Sequence, residues 1–311
     1  MINRSVISSG TRLGRTRLFS SSVPSYESTV KRIGVIGAGQ MGLGIALVAA
    51  TVAKLPVTLV DSNELSIDKS LKFMDKLLQK DVSKGKYSHQ DSEGIKERIH
   101  TTTVFESIFD TDFIIEAVPE IVSLKTDIFA KLAAGTAANT VLSTNTSSIS
   151  VTKIAAAAKG AEHRVVSTHF MNPVSVQKGV EIISGLQTSP QTIATATELV
   201  KEMGKIPSVS TDSPGFIANR ILLPYINEAI ICLETGIGKK EDIDSIMKNG
   251  CAMPMGPLSL ADFIGLDTCL AIMNVLFTTT GDTKYRPAIL LQSMVDAGWL
   301  GKKTGKGFYN Y

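Results

Sequence analysis

Gly37-Ala38-Gly39-Gln40-Met41-Gly42 follows a short β-rich run, Lys31 to Ile36, and opens a stretch of helical composition from Gln40 to Lys54. Leu55-Pro56 stops that helix, and Val57-Thr58-Leu59-Val60 reads as the next strand, ending at Asp61. The segment is a complete strand–helix–strand unit in about thirty residues, the length a parallel crossover needs. Its glycines permit a tight turn and let the backbone approach a pyrophosphate resting on the helix N-terminus. Asp61 ends the second strand, where an acid bonds a ribose 2′-hydroxyl. Ser62 and Asn63 follow, with no arginine to hold a 2′-phosphate, which favours NAD over NADP. Gly37, Gly39, Gln40, Met41, Gly42 and Asp61 are therefore the expected cofactor-binding residues. Glycine turns also arise by chance, and Asp61 alone could be a strand-end turn residue; the flanking strand, helix and strand select the nucleotide reading.

Outward from this unit the alternation continues. Asp112 to Val118, Thr140 to Thr144 and Arg164 to His169 read as strands. Glu120 to Ala134 and Ser150 to Ala158 read as helices, and Val180 to Ile183 and Ile206 to Val209 as strands around a helix near Gln191 to Met203. Such alternation predicts a doubly wound, mainly parallel sheet covered by helices on both faces. After Pro214 the character changes: Phe216 to Leu233, Lys240 to Lys248, Leu258 to Leu276 and Pro287 to Val295 all favour helix. The expected fold is α/β, a Rossmann domain over residues 28–212 followed by an all-α C-terminal domain over 213–311. Ser213 is the expected N-cap of the first C-terminal helix, with Pro214 in its first position. No internal repeat is evident.

The chain has 311 residues, 43% of them hydrophobic, enough for a large core in about two domains. A net charge of +3 is too small to argue for nucleic acid. The three cysteines, Cys232, Cys251 and Cys269, are far apart without a Cys-x-x-Cys pair, so neither a disulfide framework nor a metal site is expected. No apolar run approaches the ~18 residues of a membrane span. Residues 1–24 differ from the rest: Arg4, Arg12, Arg15 and Arg17 lie among serines, and no acid precedes Glu27. That is the signature of a mitochondrial transit segment, which places the remainder in the mitochondrial matrix. Arg17-Leu18-Phe19-Ser20 resembles a cleavage site after Phe19, the alternative being a disordered basic tail.

Four histidines exist, His89, His100, His163 and His169. His169 ends a predicted strand, and ligands of open α/β sheets bind at the carboxyl ends of strands. Glu181, twelve positions on, lies on the next predicted strand. An imidazole whose other nitrogen is held by a carboxylate is suited to removing a hydroxyl proton near neutral pH. A lone histidine is more often structural, but two further elements favour chemistry. Ser143-Thr144-Asn145-Thr146-Ser147-Ser148 brings hydroxyls to the same sheet edge, or caps a helix. Pro214-Gly215-Phe216-Ile217-Ala218-Asn219-Arg220 begins the helical half with Asn219 facing inward, or as a packing polar group. Lys72, Lys76, Lys80 and Lys84 recur every four positions on a predicted helix. This basic stripe suits a phosphate-bearing ligand, with Lys84 the favoured contact, or is a solvated face balanced by Asp68, Asp75 and Asp81.

With these motifs the chain resembles the short-chain (S)-3-hydroxyacyl-CoA dehydrogenases, a family that includes the 3-hydroxybutyryl-CoA dehydrogenases. The resemblance runs from Lys31 to Tyr311. It rests on Gly37 to Gly42, Ile115-Glu116-Ala117-Val118-Pro119-Glu120, Asn145-Thr146-Ser147-Ser148, His169-Phe170-Met171-Asn172-Pro173, Pro214 to Arg220, Pro254-Met255-Gly256-Pro257 and Lys303-Thr304-Gly305-Lys306-Gly307-Phe308-Tyr309. It implies NAD-dependent, reversible oxidation of a 3-hydroxyacyl-CoA, the third step of fatty-acid β-oxidation. His169 would be the base, Glu181 its partner, and Ser147 and Asn219 would bond the reacting end of the substrate. The resemblance also implies that Glu120, Lys125, Ser147, Asn172 and Lys303 contact NAD, and that the helical domain forms a homodimer. Met171 departs from the family's His-Phe-Phe-Asn-Pro run, Leu77 stands where some members carry a CoA-contacting serine, and the segment around Lys84-Gly85-Lys86 is short, as in butyryl-type members.

Two other classes share the plan. A 3-hydroxyisobutyrate-type dehydrogenase uses a lysine on the first C-terminal helix, where this chain offers Asn219 and no lysine before Lys239. A non-enzymatic, crystallin-like member would keep the fold without turnover; the intact His169 and Glu181 speak against it.

Overall fold

The computed structural model describes residues 29–311. The expected leader, residues 1–24, lies outside the described residues. In chain order the elements are β1 (Ile33–Ile36), α1 (Gln40–Val48), β2 (Val57–Val60), α2 (Glu64–Ser83), α3 (His89–Glu97), β3 (Ile99–Thr102), β4 (Phe113–Glu116), α4 (Val122–Gly135), β5 (Val141–Thr144), α5 (Val151–Ala155), β6 (Val165–Phe170), β7 (Gly179–Ser184), α6 (Pro190–Glu202) and β8 (Ile206–Thr211). The helical half follows as α7 (Ala218–Glu234), α8 (Lys240–Asn249), α9 (Pro257–Ile264), α10 (Leu266–Thr280) and α11 (Ile289–Asp296).

The strands form one sheet in the order β3-β2-β1-β4-β5-β6-β7-β8. β1, β4, β5 and β6 are buried at every position, as expected of strands covered on both faces. One apolar layer gathers β1, β2, α1, α2 and α6; the other gathers α4, α5 and the opposite face of the sheet. Because β1 lies between β2 and β4, the winding reverses there, and the crevice at the strand ends is where such sheets take ligands.

All pairings are parallel except β6 with β7. The chain between them, residues 171–178, carries no helix, and a connection that short cannot make a parallel crossover. The antiparallel register sets His169 directly opposite Glu181. The exception to the parallel sheet thus creates the one cross-strand neighbour the histidine needs.

Four sequence expectations need correction. The helix expected from Gln40 to Lys54 is α-helical only to Val48; Ala49–Ala53 is a wider turn that ends at Lys54, whose φ is +56°. β3 pairs with β2 and contains His100, where no strand was expected, because Ile99-His100-Thr101-Thr102 is short and mixed in polarity. Ser213 and Pro214 do not start the first C-terminal helix. The Phe216 N–H returns to the Ser213 carbonyl in a turn, Phe216 has φ +50°, and α7 begins at Ala218. Finally, Leu258 to Leu276 is not one helix. It breaks at Gly265, φ +103°, so that α9 and α10 meet at 97°. A left-handed residue cannot continue an α-helix, and glycine adopts that conformation at little cost. The helical half packs α7, α9, α10 and α11 around Leu223, Ile230, Leu266, Met273 and Leu291.

Candidate active site

The glycine turn sits between the end of β1 and α1. Gly37 has φ +101°, and a Cβ there would stand 2.8 Å from the Ala117 carbonyl oxygen. A Cβ at Gly42 would stand 1.8 Å from the Gly37 carbonyl oxygen, which no side chain tolerates. At Gly39 a Cβ would meet nothing within 4 Å, so this position faces open space. No side chain caps the N-terminus of α1 and no acid lies in its first turn, which leaves its N–H groups to an anion. Asp61 accepts from the Ala38 N–H at 2.8 Å and the Asn63 N–H at 2.9 Å, so it braces the turn from the end of β2. The Ser70 hydroxyl donates to the Ala38 carbonyl, pinning α2 to the same turn. This cradle fits a dinucleotide pyrophosphate. Gln40 donates to the Asn172 side chain at 3.3 Å, which brings the loop after β6 to the turn. Met41 is half-buried against the core of that layer.

At the end of β6, His169 Nδ1 lies 2.8 Å from Glu181 Oε2, and both residues are 5% exposed. The other oxygen, Oε1, accepts from the Ile217 and Ala218 N–H groups at 2.9 Å each. Glu181 therefore serves the dyad and the start of α7 together, where the helix dipole favours an anion. Burial pushes its carboxyl up, but the bonds from His169, Ala218 and Ile217 outweigh this and hold it below the usual carboxylate range. An ionised Glu181 only accepts, so Nδ1 carries a proton, and in the neutral imidazole the acceptor is then Nε2. Ser147 Oγ stands 3.0 Å from that Nε2. Asn219 donates to the Ser147 carbonyl at 3.2 Å. The Phe216 ring sets its edge on the His169 ring, centroids 5.9 Å apart, and also lines a cavity of about 610 Å³ with Arg220, Pro224 and Tyr285.

Ser147 lies in the loop after β5, and Glu120 shapes that loop. Its Oε1 accepts from the Thr146 hydroxyl at 2.5 Å, the Ser147 and Ser148 N–H groups at 2.9 Å, and the Ser148 hydroxyl at 3.0 Å. Burial raises the Glu120 carboxyl, yet the Lys125 charge and the Thr146 and Ser148 bonds hold it below its ordinary range.

The fold thus brings His169, Glu181, Ser147, Asn219 and Glu120 together at one sheet edge, with Asn172 at the neighbouring turn. Lys125 stands behind Glu120, buried against Glu116. Lys303 is engaged elsewhere, paired at 2.5 Å with Asp267 in the first turn of α10. Lys72, Lys76 and Lys80 are exposed along α2 and Lys84 is exposed just past its end, and none pairs with a carboxylate among the described residues. Asp75 and Asp81, expected to balance that stripe, pair instead with Lys96 and Lys86. Sequence reading gave no role to Glu116, Thr146 or Phe216. A charged residue closing the apolar run Phe113-Ile114-Ile115 was the available signal for Glu116, since a buried charge requires partners. No group of three His, Cys, Asp or Glu among the described residues could hold a metal ion.

A dinucleotide turn and a carboxylate-held histidine on one sheet edge define a nicotinamide-linked dehydrogenase of the two-domain type. Comparison with known proteins gives the family. Residues 32–213 match the family model described as 3-hydroxyacyl-CoA dehydrogenase, NAD binding domain, and residues 215–311 match that family's C-terminal domain. A probable 3-hydroxybutyryl-CoA dehydrogenase from Bacillus subtilis is 48% identical over 91% of this chain and 98% of its own length. The mitochondrial hydroxyacyl-coenzyme A dehydrogenase of Homo sapiens is 38% identical over 95% of this chain and 98% of its own. The crystal structure of (S)-3-hydroxybutyryl-CoA dehydrogenase from Ralstonia eutropha superposes with a TM-score of 0.88 at 44% identity, covering 91% of this chain and 99% of that one. The chain belongs to the 3-hydroxyacyl-CoA dehydrogenase family.

Proposed function

We propose that this chain oxidises (S)-3-hydroxyacyl-CoA to 3-oxoacyl-CoA reversibly with NAD, as in the third step of fatty-acid β-oxidation, and that short acyl chains are its preferred substrates. The observation that carries the mechanism is the continuous chain Glu181–His169–Ser147 at the edge of the sheet. NAD, when bound, supplies the nicotinamide that accepts the C3 hydride. His169 Nε2 takes the proton of the 3-hydroxyl, and Glu181 stabilises the imidazolium. Ser147 and Asn219 orient the oxygen, a contribution of positioning and electrostatics. In the reductive direction protonated His169 donates to the ketone. Gly37, Gly39, Gln40, Met41, Gly42, Asp61, Glu120, Lys125 and Asn172 hold the cofactor, and Lys303 joins them only by leaving Asp267. Lys84, at the end of the unpaired lysine stripe, and Ser147 meet the CoA part.

The two functional units are residues 28–212 and 213–311. A homodimer through the helical half is supported by Ile217, Ile221 and Ile289, apolar side chains left exposed there. A mitochondrial matrix location is supported by the arginine-rich, acid-free leader and by the mitochondrial relative in Homo sapiens.

The test follows NADH consumption by the chain beginning at Ser20, with acetoacetyl-CoA and then longer 3-oxoacyl-CoA substrates. Rapid turnover that falls with chain length is expected. NADH binding without turnover on any acyl-CoA would reject the assignment in favour of a non-enzymatic member of the family.

A further inference from the structure

We infer that Lys205 is a positioning residue for Asn172, acting through the turn at residues 173–177, and through Asn172 for the cofactor. The inference rests on the reading of Asn172 as a cofactor contact above. Lys205 follows α6, which ends in a glycine turn. Gly204 has φ +68°, its N–H returns to the Lys201 carbonyl at 2.9 Å, and the Lys205 N–H returns to the Val200 carbonyl at 3.0 Å. These bonds close the helix and send the chain toward β8. Lys205 is buried, 9% exposed. A cation just past a helix end ordinarily serves the last carbonyls of that helix. This one is turned elsewhere: Nζ donates to the Val174 carbonyl and, at 2.8 Å, to the Gln177 carbonyl, both in the connection between β6 and β7. Among the described residues no carboxylate pairs with it. A buried ammonium without a counter-charge is costly, and burial pushes the Lys205 pKa down. An apolar side chain would avoid that cost, but it would leave both carbonyls without this donor.

The two carbonyls belong to one tight turn. The Val176 and Gln177 N–H groups return to the Pro173 carbonyl at 3.0 and 2.9 Å, while Lys205 takes the carbonyls of Val174 and Gln177. Val174, 4% exposed, seats the turn on α1, where a Cβ at Gly44 would stand 3.0 Å from the Val174 Cβ. The next residue after the lysine closes the same connection from β8: the Ile206 N–H donates to the Lys178 carbonyl at 2.8 Å. Asn172 stands two residues before Val174, with Pro173 between them, whose ring leaves φ little freedom. Fixing Val174 therefore fixes the backbone of Asn172. The Asn172 side chain is exposed, and Gln40 of the glycine turn donates to it at 3.3 Å. Lys205 thus links β8 to the rim of the nucleotide cradle.

The test is a double-mutant cycle in the full chain with Lys205→Met and Asn172→Ala. It reads the NADH dissociation constant by fluorescence titration, the urea midpoint, and kcat and the KM for NADH on acetoacetyl-CoA. Lys205→Met is expected to weaken NADH binding by about tenfold and to raise the KM for NADH in proportion, with kcat at saturating NADH within about threefold. In the Asn172→Ala background it should change the NADH dissociation constant by less than about twofold, because both substitutions then act on one contact. A lower urea midpoint with NADH affinity intact would make Lys205 a purely architectural residue and overturn the proposal. Multiplicative losses in the double variant would also overturn it, since the lysine would then act on the cofactor independently of Asn172. Asn172→Ala at wild-type NADH affinity would remove the cofactor reading of Asn172 and this inference together, a result distinct from the other two. Lys205→Gln covers the case in which Lys205→Met fails to fold. It is uncharged and one bond shorter, and it keeps a polar group at the site. A loss of about three- to tenfold in NADH affinity is expected, and an unchanged affinity would overturn the positioning role.

Discussion

Glu181 divides its two oxygens between His169 and the start of α7. Oε2 fixes the His169 tautomer and Oε1 receives the first N–H groups of α7. A Glu181→Gln side chain could still serve α7 through its carbonyl oxygen. Its amide would then donate to Nδ1, which forces the ring proton onto Nε2 and removes the acceptor that the proposed mechanism requires. Turnover should fall on the order of 10²- to 10⁴-fold, with the helix retained. The same carboxyl predicts a pH signature. It is held below its ordinary value of 4.5, so its contribution to stability is fully present above pH 4.5 and is lost as pH falls through the lower folded value. Urea midpoints between neutral pH and about pH 3 should therefore decline more steeply for the wild type than for Glu181→Gln. Parallel declines would show that Glu181 is not depressed in the folded state. At this scale His169 and Glu181 were legible, because a strand-end histidine and a carboxylate on the following strand are visible as a pattern. Glu116 was not, because its partners come from a strand end and a helix that only the folded sheet brings together.

The β1–turn–α1 element separates folding from binding at two neighbouring glycines. Gly42→Ala drives a Cβ into the Gly37 carbonyl, whereas Gly39→Ala meets only open space. Gly42→Ala should destabilise the chain by about 1–3 kcal/mol, the usual cost of overpacking. Gly39→Ala should leave stability within about 0.5 kcal/mol and weaken NADH binding by about tenfold or more. Thermal unfolding and NADH titration of both variants check this. A Gly39→Ala variant with wild-type NADH affinity would move the pyrophosphate away from this turn. The element was readable from sequence because its steric demands are local: a strand, three glycines, a helix and an acid in fixed order. Helix ends elsewhere were not. The reading of Ser213-Pro214 as a helix start was locally sound, but the chain spends Gly215 and Phe216 on a left-handed turn that delivers the Ile217 and Ala218 N–H groups to Glu181. Gly265 was hidden inside a continuous apolar pattern that two helices share.

Across the whole molecule, the sheet half supplies the nucleotide cradle and the dyad, while the helical half supplies Asn219 and the dipole at the start of α7. The helical half also ties down the end of the chain. Asp262, 1% exposed, accepts from the Phe308 and Tyr309 N–H groups at 2.9 Å and from the Tyr311 hydroxyl at 3.0 Å. The order of strands and helices disclosed this two-part plan. The meeting of the halves at Glu181 could not be read from either part, because it depends on the antiparallel step that faces Glu181 toward His169.

The most direct measurement compares NADH oxidation on acetoacetyl-CoA by the wild type and by His169→Gln, with NADH affinity measured for both. The expected result is a loss of about 10²- to 10⁴-fold in kcat with NADH affinity within about twofold. A His169→Gln variant that keeps near-wild-type turnover would contradict the assignment of His169 as the base, and with it the dehydrogenase mechanism built on the Glu181–His169–Ser147 chain.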